Sequence, residues 1–258
     1  MEYFAGLFDA EGCISLSKKG AFSISIEMAN EEIPNLFKDK FQGSIYTRKR
    51  KNRKKTWTWK INSIRDQAIF FIDSIYDFSQ VKRMQLYNLR SYLSYGRSDR
   101  KYRREDFRTE ITRYKQPESI EKYMHTHYKP SNIKKEEFFK WFAGFIDGDG
   151  NFCCNQYIDN RDLRKRFGHQ LSFSSIYGDF VLYIDYCIKG TITKCQRTKN
   201  ILYKWTVRRE NERFLCQSIL PFLKIKKKQC ELFLEFIDSS DDRRKFEIIN
   251  QIKHLNSL

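Results

Sequence analysis

The chain has 258 residues, of which 40% are hydrophobic and 16% aromatic, enough apolar matter for a packed core and too much for a disordered chain. Lys and Arg number 49 against 32 Asp and Glu, a net charge of +17 with His neutral, which points to a polyanionic partner, because clustered cations displace the counterions condensed on phosphates. The seven Cys are odd in number and contain no Cys-x-x-Cys pair, which argues against a disulfide framework and a zinc site and leaves reduced thiols, expected to be mostly buried. No basic n-region opens the chain and no apolar run is long enough to cross a bilayer, so the expectation is an intracellular protein with no membrane partner.

The first element is a helix around Phe4 to Phe8, apolar nearly all round and therefore buried on most sides, with Gly12 expected as its stop. Alternation follows. Ile14 and Leu16 alternate with Cys13, Ser15 and Ser17, Ile24 and Ile26 with Ser23 and Ser25, and Trp57, Trp59 and Ile61 with Thr58, Lys60 and Asn62. Period two predicts sheets with one packed and one polar face. Asp66 to Ile75 and Lys82 to Tyr92 carry helical spacing. Arg97 to Pro130 is polar and rich in Arg, with Pro117 and Pro130, and reads as a linker with room for a short helix; a solvated tether and a phosphate-touching segment are both open readings. Ser131 is placed to cap a helix over Lys134 to Ile146, with Gly150 as its stop.

That helix repeats the first. Tyr3-Phe4-Ala5-Gly6-Leu7-Phe8-Asp9-Ala10-Glu11-Gly12 returns as Trp141-Phe142-Ala143-Gly144-Phe145-Ile146-Asp147-Gly148-Asp149-Gly150. Three further matches keep the same order: Gly43 with Gly190, Trp57-Thr58-Trp59 with Tyr203-Lys204-Trp205, and Val81-Lys82-Arg83-Met84-Gln85 with Ile225-Lys226-Lys227-Lys228-Gln229. Helices over Phe214 to Leu223 and Lys226 to Phe236 complete the second copy. The chain is a tandem duplication.

Ala5, Gly6, Ala143 and Gly144 are small and let two helix backbones approach closely, so that the C-terminal ends bearing Glu11 and Asp149 meet. Two carboxylates there oppose each other and the helix dipoles, and a hard divalent cation relieves both penalties. The plainer reading, two solvated helix ends, does not explain an acid at the same register of both copies.

The two decapeptides resemble the signature of the LAGLIDADG homing endonucleases in their single-chain, two-motif form, and the likeness extends over nearly all of the chain outside the linker. The resemblance implies an α+β fold of two pseudo-symmetric αββαββα halves, residues 1–96 and 131–258 about a basic linker 97–130, with antiparallel sheets forming a saddle for double-stranded DNA and the motif helices packed at the interface. It implies Mg²⁺ or Mn²⁺ on Glu11 and Asp149, with the backbone at Ala10 and Gly148, and leaves Asp9 and Asp147 structural. Lys82 and Lys226 would lie near the cleavage centre. Asn30 would position water in the first half, and Asp179 or a neighbour in the second.

Base readout is expected from the polar sheet parity: Ser15, Ser17, Ser23, Ser25, Tyr46, Arg48, Lys60 and Asn62 in the first half. In the second it is Cys153, Asn155, Tyr157, Gln170, Ser172, Ser174, Thr193, Lys204, Thr206 and Arg208, because a two-stranded ribbon fits the major groove. The basic run from Arg48 through Arg50 to Lys55 would hold phosphate, and Arg197 is a further DNA-binding candidate. The expected activity is a site-specific, staggered double-strand break in a long asymmetric DNA target, made by an intron-encoded monomer of an organelle, viral or microbial host. Two other readings stand beside it: an intron maturase that binds RNA, and an inactive DNA-binding regulator. An intein is disfavoured, because the motif stands at the start of the chain.

Overall fold

A computed structural model describes residues 1–49, 54–118, 135–196 and 200–257. Arg50 and Arg197, most of the basic run 50–53, and Pro130, Ser131 and Lys134 lie outside the described residues. The chain divides into two compact units, one holding the described residues to 118 with 135–148, the other 149–257.

The first unit opens with α1 (Glu2–Glu11), then β1 (Gly12–Leu16), β2 (Phe22–Met28), α2 (Glu32–Phe41), β3 (Ser44–Lys49) and β4 (Lys55–Asn62). Three helices follow: α3 (Arg65–Ile75), α4 (Arg83–Ser94) and α5 (Arg97–Arg113). The sheet is antiparallel in the order β1-β2-β4-β3. Its register sets Cys13 opposite Ser25 and Ser25 opposite Lys60 on the polar face. Ile14, Ile24, Ile26, Trp59 and Ile61 are fully buried on the other. There Trp59 meets Phe37, Phe41 and Phe71 with ring centroids 5.1 to 6.2 Å apart. Truncating a ring so enclosed costs about 3–5 kcal/mol.

Gly43 shows why the duplication keeps its glycine. Its φ is +92°, and a Cβ there would stand 2.9 Å from both the Lys60 carbonyl oxygen and Trp59 Nε1. At Gly190 a Cβ would stand 2.2 Å from Trp205 Nε1. In both copies a glycine lets the strand start pass over the core tryptophan.

The second unit follows the last residue of α6 (Lys135–Asp149) with β5 (Asn151–Ile158), β6 (Lys165–Ser175), α7 (Gly178–Cys187), β7 (Gly190–Gln196) and β8 (Ile201–Val207). It ends in α8 (Arg209–Ile219), α9 (Lys227–Asp238) and α10 (Asp242–Ser257). The sheet order β5-β6-β8-β7 repeats the first. The α+β class and the repeated half are therefore as expected. In its interior Glu212, 2% exposed, faces His169 Nδ1 at 2.7 Å, a pairing that a carboxylate this deep requires.

Three features depart from the expectation. Residues 97–113, assigned to a linker, form the helix α5, which packs along β1 and α4 as α10 packs along β5 and α9. Gln85 Nε2 donates to the Tyr114 carbonyl, and the Phe107 ring meets Tyr92 edge-on and Tyr95 at a tilt, so each half ends in a further helix that belongs to its body. Gly12 does not stop α1 in a left-handed turn: its φ is −70°, the chain passes straight into β1, and a Cβ would strike Phe8 at 2.4 Å. Only Cys154, Cys216 and Cys230 are buried, whereas Cys13, Cys187 and Cys195 are exposed on strand and helix surfaces.

In the first unit the motif helices α1 and α6 touch backbone to backbone. A Cβ on Gly6 would lie 1.8 Å from the Trp141 carbonyl oxygen, and one on Gly144 2.0 Å from that of Tyr3. Gly6→Ala or Gly144→Ala must push the helices apart, at a cost of about 3 kcal/mol or more, and lower Tm by on the order of 6–12 °C in a thermal melt. Gly96→Ala, where the nearest atom would be 3.7 Å away, leaves Tm in place. Burial raises the Cys154 thiol, and the hydrogen bond with Cys230 together with burial raises that of Cys216, well above their ordinary range. In native protein a thiol reagent therefore labels Cys13 and Cys195 within minutes and Cys154, Cys216 and Cys230 only on unfolding, as peptide mapping will read.

Candidate nuclease centre and nucleic-acid face

The helix pair carries its own set of buried hydrogen bonds. The Tyr3 hydroxyl donates to Asp147 Oδ2 at 2.8 Å, and Trp141 Nε1 donates to Asp9 Oδ2 at 3.1 Å. Tyr3 and Trp141 occupy the same motif position, so each helix offers an aromatic donor to the first acid of the other. Burial and the Asp147 carboxylate hold the Tyr3 phenol protonated far above its usual range.

Asp9 is 3% exposed and takes three more donors: Ser79 Oγ at 2.6 Å, the Gln80 amide at 2.6 Å and the Lys82 amide at 2.8 Å. It thus fixes the turn before α4, and Asp9 and Asp147 are structural groups. Lys82, the N-cap residue of α4, is carried by that turn. Its ammonium donates to the Asp9 carbonyl and lies 3.4 Å from the Ala10 carbonyl. A cation there satisfies carbonyls that the helix end leaves open. In the second unit Lys226, the N-cap residue of α9, donates to the Gly150 carbonyl at 2.8 Å. Both lysines therefore reach the chain beside the last motif acid.

The helix ends meet through small residues. A Cβ on Gly148 would lie 2.5 Å from Ala10 Cβ and 3.1 Å from Glu11 Cγ. Glu11 is half-buried; Asp149, the residue after Gly148, is exposed. Each unit, taken by itself, offers carboxylate and carbonyl oxygens at its last motif acid, the set that suits Mg²⁺ or Mn²⁺ rather than a soft metal.

Asn30 Oδ1 accepts the Glu32 amide at 2.7 Å in the turn that leads into α2, whose N-cap residue is Glu31. Asp179 lies in the first turn of α7, with Oδ2 buried. Gln85 and Gln229 are buried, and their matched register reflects packing.

On the first sheet Ser15, Ser17, Tyr46, Arg48 and Asn62 are exposed and Ser23, Ser25 and Lys60 half-buried, all on the polar side. Ser15 and Ser23 share a 2.8 Å hydrogen bond, and Ser17 Oγ accepts the Ala21 amide, which shapes the hairpin turn. On the second, Asn155, Tyr157, Ser174, Thr193 and Arg208 are exposed and Cys153, Gln170, Lys204 and Thr206 half-buried. Lys204 Nζ lies 3.4 Å from Gln170 Oε1, and Arg208 donates to the Gly190 carbonyl at 3.2 Å. Ser172 departs from the expectation. It has the right parity but is 2% exposed, a short side chain between Asn151 and Thr206, and presents nothing to a ligand. Thr56 and Thr58 share the first polar face and were missed, although the alternation around Trp57 and Trp59 marks them. Thr56 donates to Glu27, an acid on that face.

Comparison with known proteins matches residues 1–95 to the LAGLIDADG-like domain. The DNA endonuclease I-CvuI of Chlorella vulgaris is 28% identical over 113 residues, 42% of this chain and 69% of that protein. Among solved structures, the LAGLIDADG meganuclease I-AabMI bound to uncleaved DNA superposes with a TM-score of 0.69 at 14% identity, covering 99% of this chain and 97% of its own. The LAGLIDADG homing endonuclease I-LtrWI bound to target DNA gives 0.68 at 18% identity, covering 98% and 95%. I-SmaMI bound to an uncleaved DNA target in the presence of calcium ions gives 0.66 at 17% identity, covering 99% and 97%. Residues 1–95 thus resemble the LAGLIDADG-like domain, and the chain has the fold of the solved LAGLIDADG meganucleases.

Proposed function

We propose that this chain is a site-specific DNA endonuclease that hydrolyses one phosphodiester in each strand of a long asymmetric duplex target, as a single-chain monomer. The observation that carries the reading is the paired helix end: Gly148 seated on Ala10 and Glu11, with Lys82 and Lys226 each bonded to the backbone beside a motif acid. Glu11 and Asp149 would hold a divalent cation, with the backbone at Ala10 and Gly148. When bound, such an ion supplies Lewis acidity at a phosphoryl oxygen and a more acidic water.

The chain's own groups divide the remaining work. The two acids, at equivalent places of a duplicated half, suit two scissile phosphates. Lys82 and Lys226 would stabilise charge growing on phosphate, and their carbonyl partners hold each ammonium in place before substrate arrives. Asp9, through the turn of Ser79 and Gln80, positions Lys82 without touching the reaction. The polar sheet faces would lie in the major groove, their unlike side chains reading unlike half-sites. The polar and basic residues near the hairpin ends would add phosphate contacts and orientation.

A randomised duplex library incubated with Mg²⁺ should yield one long cleaved site. Glu11→Gln and Asp149→Asn each lower the cleavage rate at that site at least about 10²-fold while DNA binding persists. Undiminished cutting in both variants removes these residues from the centre. No cutting with any divalent ion, together with tight binding of a structured intron RNA, rejects the nuclease reading in favour of a maturase. Lys82→Met slows single-turnover cleavage by about 10²–10³ and leaves affinity within a few-fold, with a thermal melt confirming the fold.

A further inference from the structure

The first unit contains a cavity of about 790 Å³ away from the motif helices. One wall is the β1–β2 hairpin turn with Lys19 and Gly20; another is the N-terminal half of α5 with Arg97, Arg100, Lys101 and Arg104. Tyr92 forms the floor between them. Gly20 has a φ of +86°, and a Cβ there would lie 3.1 Å from the Tyr92 hydroxyl, so the turn is pressed onto this ring.

Five cations therefore surround one space, and among the described residues none of them forms an ion pair. The nearest acids are otherwise placed. Glu105 is held by both arms of Arg108, although Lys18 and Arg104 still act on it through space. Asp99 lies in the first turn of α5 beside Gly96 and does not line the cavity. Arg100 stands over Tyr92, and its buried Nε has no hydrogen-bond partner among the described residues.

The equivalent hairpin of the second unit is built the other way. Arg161 and Arg166 pair with Asp159, and Arg164 and Arg166 with Asp162. The same position in the fold thus pairs its arginines with its own acids in one half and, among the described residues, leaves its cations without ion pairs in the other. Like charges held together oppose folding, and a bound anion reverses the penalty. The open amides of the first turn of α5 favour the same sign of ligand.

The cavity also continues the polar face. Ser63, which lines it, directly follows Asn62 of that face, and the turn begins at Ser17. From Gly12, next to Glu11, to Ser17 the strand advances about 17 Å at roughly 3.3 Å per residue. We propose that this cavity seats a backbone phosphate of duplex DNA, on the flank of the target beyond the bases facing the first sheet. The inference rests on the nuclease reading above and adds to it a phosphate site built into the first unit.

The test uses the full chain, its cleavage-selected duplex and two double variants. Arg97→Gln with Lys101→Gln removes two exposed cations from the cavity wall. Arg161→Gln with Arg164→Gln removes two that are paired with acids. For the first variant, the slope of log affinity against log salt should fall by about one, since each phosphate contact contributes about 0.9. Ethylation interference should disappear at flanking phosphates on the first-half side, while the cleaved sequence stays the same. The second variant should change the slope by less than half as much. Equal changes in both variants would reduce the effect to net charge and overturn the site. An unchanged slope and interference pattern in the first variant, with the wild type still cutting its target, overturns the site and leaves the nuclease reading standing. Loss of affinity for a structured RNA with none for DNA overturns it in favour of an RNA backbone. A wild type that recognises no duplex overturns both.

Discussion

The close approach of α1 and α6 is the constraint on which the candidate centre depends. Gly6 and Gly144 bring the backbones into contact, and only at that separation can Tyr3 reach Asp147 and Trp141 reach Asp9. Asp9 in turn gathers Ser79, Gln80 and the Lys82 amide, so a carboxylate satisfied by four donors links helix packing to the placement of an ammonium. Burying such a carboxylate is costly unless every lone pair is used, and the network uses them. The result is a network that holds the end of α1, and with it Glu11, in a fixed relation to Lys82.

Much of this was legible from the residues. The duplicated decapeptide exposed the pairing of the helices, and alternation around Trp59 and Trp205 gave the parity of both sheets. Gly43 and Gly190 aligned because each passes over a core tryptophan. The helix α5 was hidden for a physical reason. Of its 17 residues only Ile111 is buried, so no apolar stripe distinguishes it from a basic tether. The bond from the Glu32 amide to Asn30 is local, one that any polar residue before a helix can make, and was not read from the sequence. Ser172 shows the limit of parity: alternation assigns a face but not the height of a side chain above its neighbours. Asp9's partners lie some seventy residues away, and nothing local in the sequence announces them.

The halves share a backbone plan and differ in chemistry. The first hairpin turn meets an arginine-rich helix, whereas the second folds its arginines onto Asp159 and Asp162. The polar faces differ as well, with Tyr46 and Arg48 on one and Asn155 and Tyr157 on the other. Once a duplication lies in a single chain, each copy is free to change its surface, while the residues between the motif helices must still match.

That matching reaches the last turn of each helix. Ala10 and Gly148 are equivalent positions that face one another, and the methyl group of one occupies the space that a methyl group on the other would need. The two sites therefore share room for a single side-chain carbon. Variation there is coupled: Gly148→Ala alone has nowhere to put its carbon, but made together with Ala10→Gly it moves the same volume across the seam. The order Ala-then-Gly seen here puts the methyl group of this seam on α1, where Gly148 leaves room for it.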